Sequence, residues 1–187
     1  MRRFILHLQN TLPYTPKHAT MLLQRARELV EPEANIRDAR ISKKYIEFDT
    51  SIPDSTDMKT IIPRVEAIAP LASYEEILER HMEKDRAIAR AVQLFNDERY
   101  WEAHEVLESQ WKNAIGIERE ILNAIILVAA AFVHDEKDES DVCISILRRA
   151  RKKLDQASGN YYGINTNRIA DMVSEIINTG KVNRFTI

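Results

Sequence analysis

Two kinds of hydrophobic spacing divide the chain. From residue 3 to about residue 72, short β-prone runs interleave with amphipathic helical stretches; beyond that the spacing is helical nearly throughout. Phe4, Ile5, Leu6 and Leu8 mark a strand over residues 3–9, closed by Asn10-Thr11. Thr15-Pro16 has the chemistry of a helix start, because proline lacks only an N–H that would be unpaired in the first turn. Leu22, Leu23, Ala26, Leu29 and Val30 then recur at helical spacing, and Pro32 stops the run. Between Ile36 and Ile52 the pattern alternates, with Ile41 in one arm and Tyr45, Ile46 and Phe48 in the other. A turn at Ser42-Lys43-Lys44 makes this a hairpin. Residues 55–69 read as a second helix that Pro63 either kinks or starts late. The order β-α-β-β-α is most of a ferredoxin-like split and lacks one strand. The sequence offers Val182 to Ile187, after Gly180, as a tail returning to the N-terminal sheet.

After Ala72 the pattern predicts helices alone. Ser73 with Glu76 three residues on has the form of a capping box, opening a helix that carries Ile77, Leu78, Ile88, Val92 and Phe95. Asn96-Asp97 breaks it, and a central helix follows as far as Gly116. Residues 117–134 are apolar nearly all round, which places that helix in the middle of a bundle. A charged loop over 135–141 precedes a stripe of Cys143, Ile146, Leu147, Ala150 and Leu154, and a last helix over 166–178 turns Ile169, Met172, Val173, Ile176 and Ile177 inward. The fold expected is therefore α+β: a small ferredoxin-like unit at 1–72, an all-α bundle of about five helices at 73–180, and a tail at 181–187.

The densest chemistry lies between Phe95 and Trp111. Residues three and four apart share a helix face, so Trp101, His104, Glu108, Trp111 and Ile115 form one stripe and Glu102, Glu105, Ser109 and Lys112 a neighbouring one. A His–Glu pair at i, i+4 between two indoles would sit in a partly dry pocket, where the carboxylate can hold an imidazolium or fix its tautomer. The ordered pattern Phe95-Asn96, Tyr100, Ala103-His104-Glu105, Glu108, Trp111, Gly116, Arg119, Ala129-Ala130-Ala131, His134 and then Leu147, Arg149-Ala150, Leu154 resembles the helical domain of domain-of-unknown-function family 309 over residues of about 85–155. That resemblance implies an all-α bundle and no established reaction. Glu98 stands where the family usually has a turn glycine, Asn123-Ala124 replaces a Gln-Gly, and 135–138 replaces a Gly-Asn turn. The first 72 residues lie outside the likeness.

Three functional readings compete. The first is a non-enzymatic binding or assembly module with a buried polar network, in which Arg119 or Arg149 gives Glu108 a bidentate partner and His104 and His134 are satisfied boundary residues. Its pocket residues would be Trp101, Glu102, His104, Glu108, Trp111, Arg119, His134 and Arg149. The alternative is a metal- or small-ligand-binding, hydrolase-like site. His104, Glu105, Glu108 and His134 would be the metal ligands, Glu102 an outer group, and His104 with Glu108 the catalytic candidates. The spacing is neither the His-Glu-x-x-His of zinc peptidases nor the Glu-x-x-His of di-iron bundles, and no nucleophile or phosphate-cradling glycine loop accompanies it. The reading leans away from catalysis and predicts no cofactor, with a divalent metal as the exception.

The third reading, an RNA-binding accessory protein, rests on the split β-α unit and on Arg148, Arg149, Arg151, Lys152 and Lys153 near one helix end. The charge balance gives it little pull: residues 1–72 hold 11 Lys/Arg against 9 Asp/Glu and the remainder 16 against 20. One cysteine, Cys143, excludes an internal disulfide and reads as a small core residue. The apolar run Ala124–Val133 is short of the roughly 18 residues a membrane span needs. The expectation is a cytoplasmic chain with an unidentified protein partner, a homo-oligomer among the options, and no membrane. His7, His18 and His81 read as isolated surface or boundary residues, and Tyr161-Tyr162 as packing on the bundle end.

Overall fold

A computed structural model describes residues 1–12, 14–78, 82–156 and 159–187. Two compact units make up the chain: Met1–Arg80 with Glu136–Asp138, and His81–Asp135 with Glu139–Ile187.

The first unit holds the strands β1 (Arg2–Gln9), β2 (Asn35–Ile41), β3 (Tyr45–Ile52) and β4 (Leu71–Glu76) with the helices α1 (Ala19–Val30) and α2 (Met58–Val65). The sheet order is β2-β3-β1-β4 with every neighbouring pair antiparallel, which is the ferredoxin-like arrangement. The strand that the sequence pattern lacked is β4. Ser73 and Glu76 therefore cap no helix; they are strand residues, Ser73 opposite His7 and Glu76 opposite Phe4. Apolar residues at alternate strand positions, Phe4, Leu6, Leu8, Ile46, Phe48 and Ile52, form one core with Leu22, Ala26 and Val30 of α1 and Met58, Ile61 and Val65 of α2. The three-residue turn 136–138 belongs to this unit too: the Ile41 amide donates to the Glu136 carbonyl (3.0 Å), and Lys137 pairs with Asp38 (3.3 Å).

The second unit is the expected five-helix bundle: α3 (Lys84–Asn96), α4 (Tyr100–Trp111), α5 (Gly116–Asp135), α6 (Ser140–Leu154) and α7 (Thr166–Thr179). Helix α5 packs on both α4 and α6, as its all-round apolar sequence requires. A two-residue pairing of β5 (Asn160–Tyr161) with β6 (Ile164–Asn165) leads into α7, where the Asn165 side chain accepts from the Arg168 amide as N-cap and Gly180 (φ 67°) closes the helix in the left-handed region. The tail after Gly180 forms no strand. Phe185 instead enters an aromatic cluster with Phe95 and Phe132, and the Asn96 side chain bonds the backbone of Ile187 in both directions (2.8 and 3.1 Å). Glu98 has φ 63°, so the turn before α4 keeps a glycine's conformation without a glycine. Among the described residues no helix is long and apolar enough to cross a membrane.

Candidate functional site

Helix α4 turns Tyr100, Glu102, Ala103 and Leu107 inward. Its buried face thus lies one step round from the His104–Glu108 stripe. His104 and Glu108 do pair, Nε2 to Oε2 at 3.6 Å, but their side chains keep 27% and 39% of their exposure. The pair occupies the open flank of the helix, not a sealed slot between indoles. Glu105, exposed, brings a carboxylate oxygen to the same place: the ligand atoms of His104, Glu105 and Glu108 all lie within 4.8 Å of one another. Trp101 is half-buried on the same helix.

The arginines expected to partner Glu108 go elsewhere. Arg119 stacks over the Trp111 ring (3.9 Å to the centroid) and donates to the Trp111 and Ala114 carbonyls (3.2 and 3.3 Å). It caps the end of α4, where the macrodipole favours a cation. Arg149 is exposed on α6. His134 is also separate from the α4 group; its Nδ1 bonds Glu139 at the start of the next turn.

Buried ion pairing in this unit joins Glu102, which the sequence pattern marked, to Arg99, which it did not, and adds Arg184. Glu102, read as an outer group of a metal site, is buried and gripped by Arg99 through both oxygens (2.7 and 2.6 Å). Arg184 of the tail, largely buried, bonds Asp135 (2.8 Å), comes within 3.9 Å of Glu98 and lies over the Tyr100 ring. Arg99 adjoins the α4 motif and could have been read from it, since Arg99 and Glu102 are i, i+3. Arg184 had no sequence signal, because its partners are 49 and 86 positions away.

A second polar group stands in the first unit, on the sheet face opposite α1 and α2. His7 is opposite Glu47, and Glu47 is opposite Arg40. His7 Nε2 lies 2.9 Å from Glu47 Oε2, and Arg40 binds the other oxygen. Next to them Asp49 takes two bonds from Arg3 (2.9 and 2.6 Å). His7, expected to be a surface or boundary residue, is buried. Burial alone would push the Glu47 carboxyl up, but the Arg40 charge and then the His7 hydrogen bond outweigh it and hold the carboxyl at about 2. The signal that marks this group is Glu47 and Asp49 alternating with Ile46 and Phe48 along β3.

Smaller expectations resolve simply. Cys143 is buried in the bundle core, its thiol pushed up to about 12 by burial and by Asp135. Tyr161 packs into the bundle and donates to Glu118 (2.9 Å), while Tyr162 is exposed. His18 is half-buried and bonds Thr15. His81 lies outside the described residues. Arg151 binds Ser174 and Asp155, and Lys153 binds Glu120, so two of the five cations of that basic turn are already engaged. A shallow, open depression of about 500 Å³ is lined by Arg90, Gln93, Leu94, Asn96, Asp97 and Arg99, and by none of the His104 stripe.

No curated protein matches the chain. Residues 88–145, from within α3 into α6, match the family described as Domain of unknown function (DUF309), so the resemblance carried by the α4 motif holds for that part of the helical unit, and the N-terminal sheet stands outside it.

Proposed function

We propose that the chain is a non-catalytic binding or assembly module that engages a protein partner through the α4–α5 end of its helical bundle. The observation that carries this is the pair of isoleucines flanking Gly116: Ile115 is 83% exposed and Ile117 66%. Two branched apolar side chains exposed at one tight turn would gain from being covered, and contiguous exposed apolar surface marks interaction sites. Beside them lie the Trp111 ring stacked by Arg119 and the turn of the β5–β6 pairing, where Tyr162 is exposed and Tyr161 is tied to Glu118. Aromatic residues and arginine are the side chains enriched at interface cores. The His104–Glu108 pair on an open helix flank suits recognition better than turnover, which needs reactants held away from water.

Cytoplasmic action belongs to the same reading, with Cys143 kept as a buried thiol. The test is a photo-crosslinking amino acid placed at position 115 of the full chain in producing cells. A discrete protein adduct is expected, and an adduct of twice the chain's mass would identify a second copy as the partner. The control position is Met21 on α1, also exposed. No adduct at 115, or the same adducts at both positions, would refute the reading.

A further inference from the structure

We propose that the open edge of the N-terminal sheet pairs with the same edge of a second copy of the chain, β4 against β4, about a two-fold axis at Tyr74. This surface is separate from the turn around Gly116. The chain treats the two edges of the sheet differently. At the β2 edge the Ile41 amide donates to the Glu136 carbonyl and Lys137 pairs with Asp38, so the 136–138 turn covers it. At the other edge β4 pairs with β1 alone among the described residues. The Ile77 amide donates to the Arg3 carbonyl (2.8 Å), which sets the parity of the ladder. Ser73 and Glu75 turn their backbone groups toward β1, and Tyr74 turns its N–H and C=O outward. Tyr74 is 43% exposed in the full chain, and an edge left bare in this way is a template for strand addition.

Register and charge select a second copy as the occupant. Two identical edges pair antiparallel about a two-fold axis, and few positions of that axis suit this strand. An axis at Glu75 or Glu76 sets a carboxylate against its own copy, which like-charge repulsion disfavours. An axis at Ala72 or Ser73 brings the outward backbone of Tyr74 or Glu76 against Pro70, which has no N–H to give. An axis at Tyr74 avoids both faults. Glu76 then meets Ala72 of the second copy, Glu75 meets Ser73, the two tyrosine rings face each other, and Leu78, 54% exposed, meets Pro70. Glu76 is already held by Arg2 through both oxygens (2.8 and 3.1 Å), so it brings little repulsion to the contact. The ladder is kept short by the bulge at Ala72, where the register with β1 shifts. With the β2 edge covered, pairing closes at two copies and does not grow into a fibre.

The test is sedimentation velocity of the tag-free full chain over a concentration series, where a monomer–dimer equilibrium is expected. Tyr74→Lys and Tyr74→Glu each set like charges against one another at the axis and should weaken self-association at least about 10-fold. An equimolar mixture of the two variants should form the dimer again, because unlike charges then meet across the axis. A variant that had lost its fold could not be rescued in that way. Ile115→Asp should leave the equilibrium unchanged. A chain that stays monomeric throughout, a dimer that survives Tyr74→Lys, or a mixture that fails to associate would overturn the pairing. Dimerisation lost in Ile115→Asp and kept in Tyr74→Lys would also overturn it, and would put the second copy at the Gly116 end. The adducts formed at position 115 are read separately, so either proposal can fail without the other.

Discussion

Replacing Glu47 by glutamine removes one charge from a buried group and leaves its volume in place. Arg40 then loses the Glu47 carboxylate and keeps Asp38 at 3.5 Å, and His7 loses a charged acceptor. The magnitude follows from the carboxyl itself. Its ordinary value is 4.5 and the fold holds it at about 2, a gap worth roughly 3 kcal/mol at neutral pH. That agrees with the about 3–5 kcal/mol lost when one member of a buried ion pair is removed. For a chain of 187 residues melting as one transition, roughly 3 kcal/mol lowers Tm by about 6–12 °C. If the sheet unit melts separately, the fall is about twice that and confined to one of two peaks in differential scanning calorimetry. The sign with pH is fixed by the direction of the shift. A carboxyl held below its ordinary value adds stability above pH 4.5 and loses it as pH falls toward 2. The Tm gap between wild type and Glu47→Gln should thus be constant from pH 7 to 5 and close below that. The double change Arg40→Met with Glu47→Leu should recover much of the loss, because neither member of the pair is then buried without the other. A Tm change under 2 °C at pH 7, or a gap unchanged near pH 2, would refute the account.

Two further outcomes are expected. Glu98→Gly should be more stable than Glu98→Ala by about 0.5–1 kcal/mol, since both lose the approach to Arg184 and glycine is also free of left-handed strain; chemical denaturation at constant m-value measures it, and equal stabilities would count against strain at that turn. Arg119→Ala should lower Tm by about 2–6 °C through the lost ring stack and carbonyl caps, and Arg119→Lys should fail to restore it because an ammonium offers no flat fork to lie on the indole.

Much of the architecture was legible because it is carried by short-range periodicity. The hairpin alternation of Ile41 against Ile46 and Phe48, and the all-apolar α5, each specified an element and its place. The last strand was not, because Ser73-Tyr74-Glu75-Glu76 satisfies a helix-start pattern locally and only pairing with β1 reveals it as β4. The tail failed in the opposite way: Val182 to Ile187 has strand propensity, but the aromatic ring of Phe185 finds Phe95 and Phe132 instead. At the site, i, i+4 geometry correctly joined His104 to Glu108. Which face of α4 turns inward depended on neighbouring helices, so the partners of Arg119 and His134 could not be assigned from spacing. His7 was hidden for the same reason, its carboxylate lying 40 positions away.

The cross-strand line of Arg40, Glu47 and His7 also acts as a ratchet on assembly. Side chains alternate along a strand, so sliding β3 by a single place against β1 would swing Glu47 and Asp49 in among Phe4, Leu6 and the underside of α1. A carboxylate in hydrocarbon is among the most costly errors a sheet can make. The hairpin is thereby held to one alignment, because each slipped register would place a carboxylate in the core.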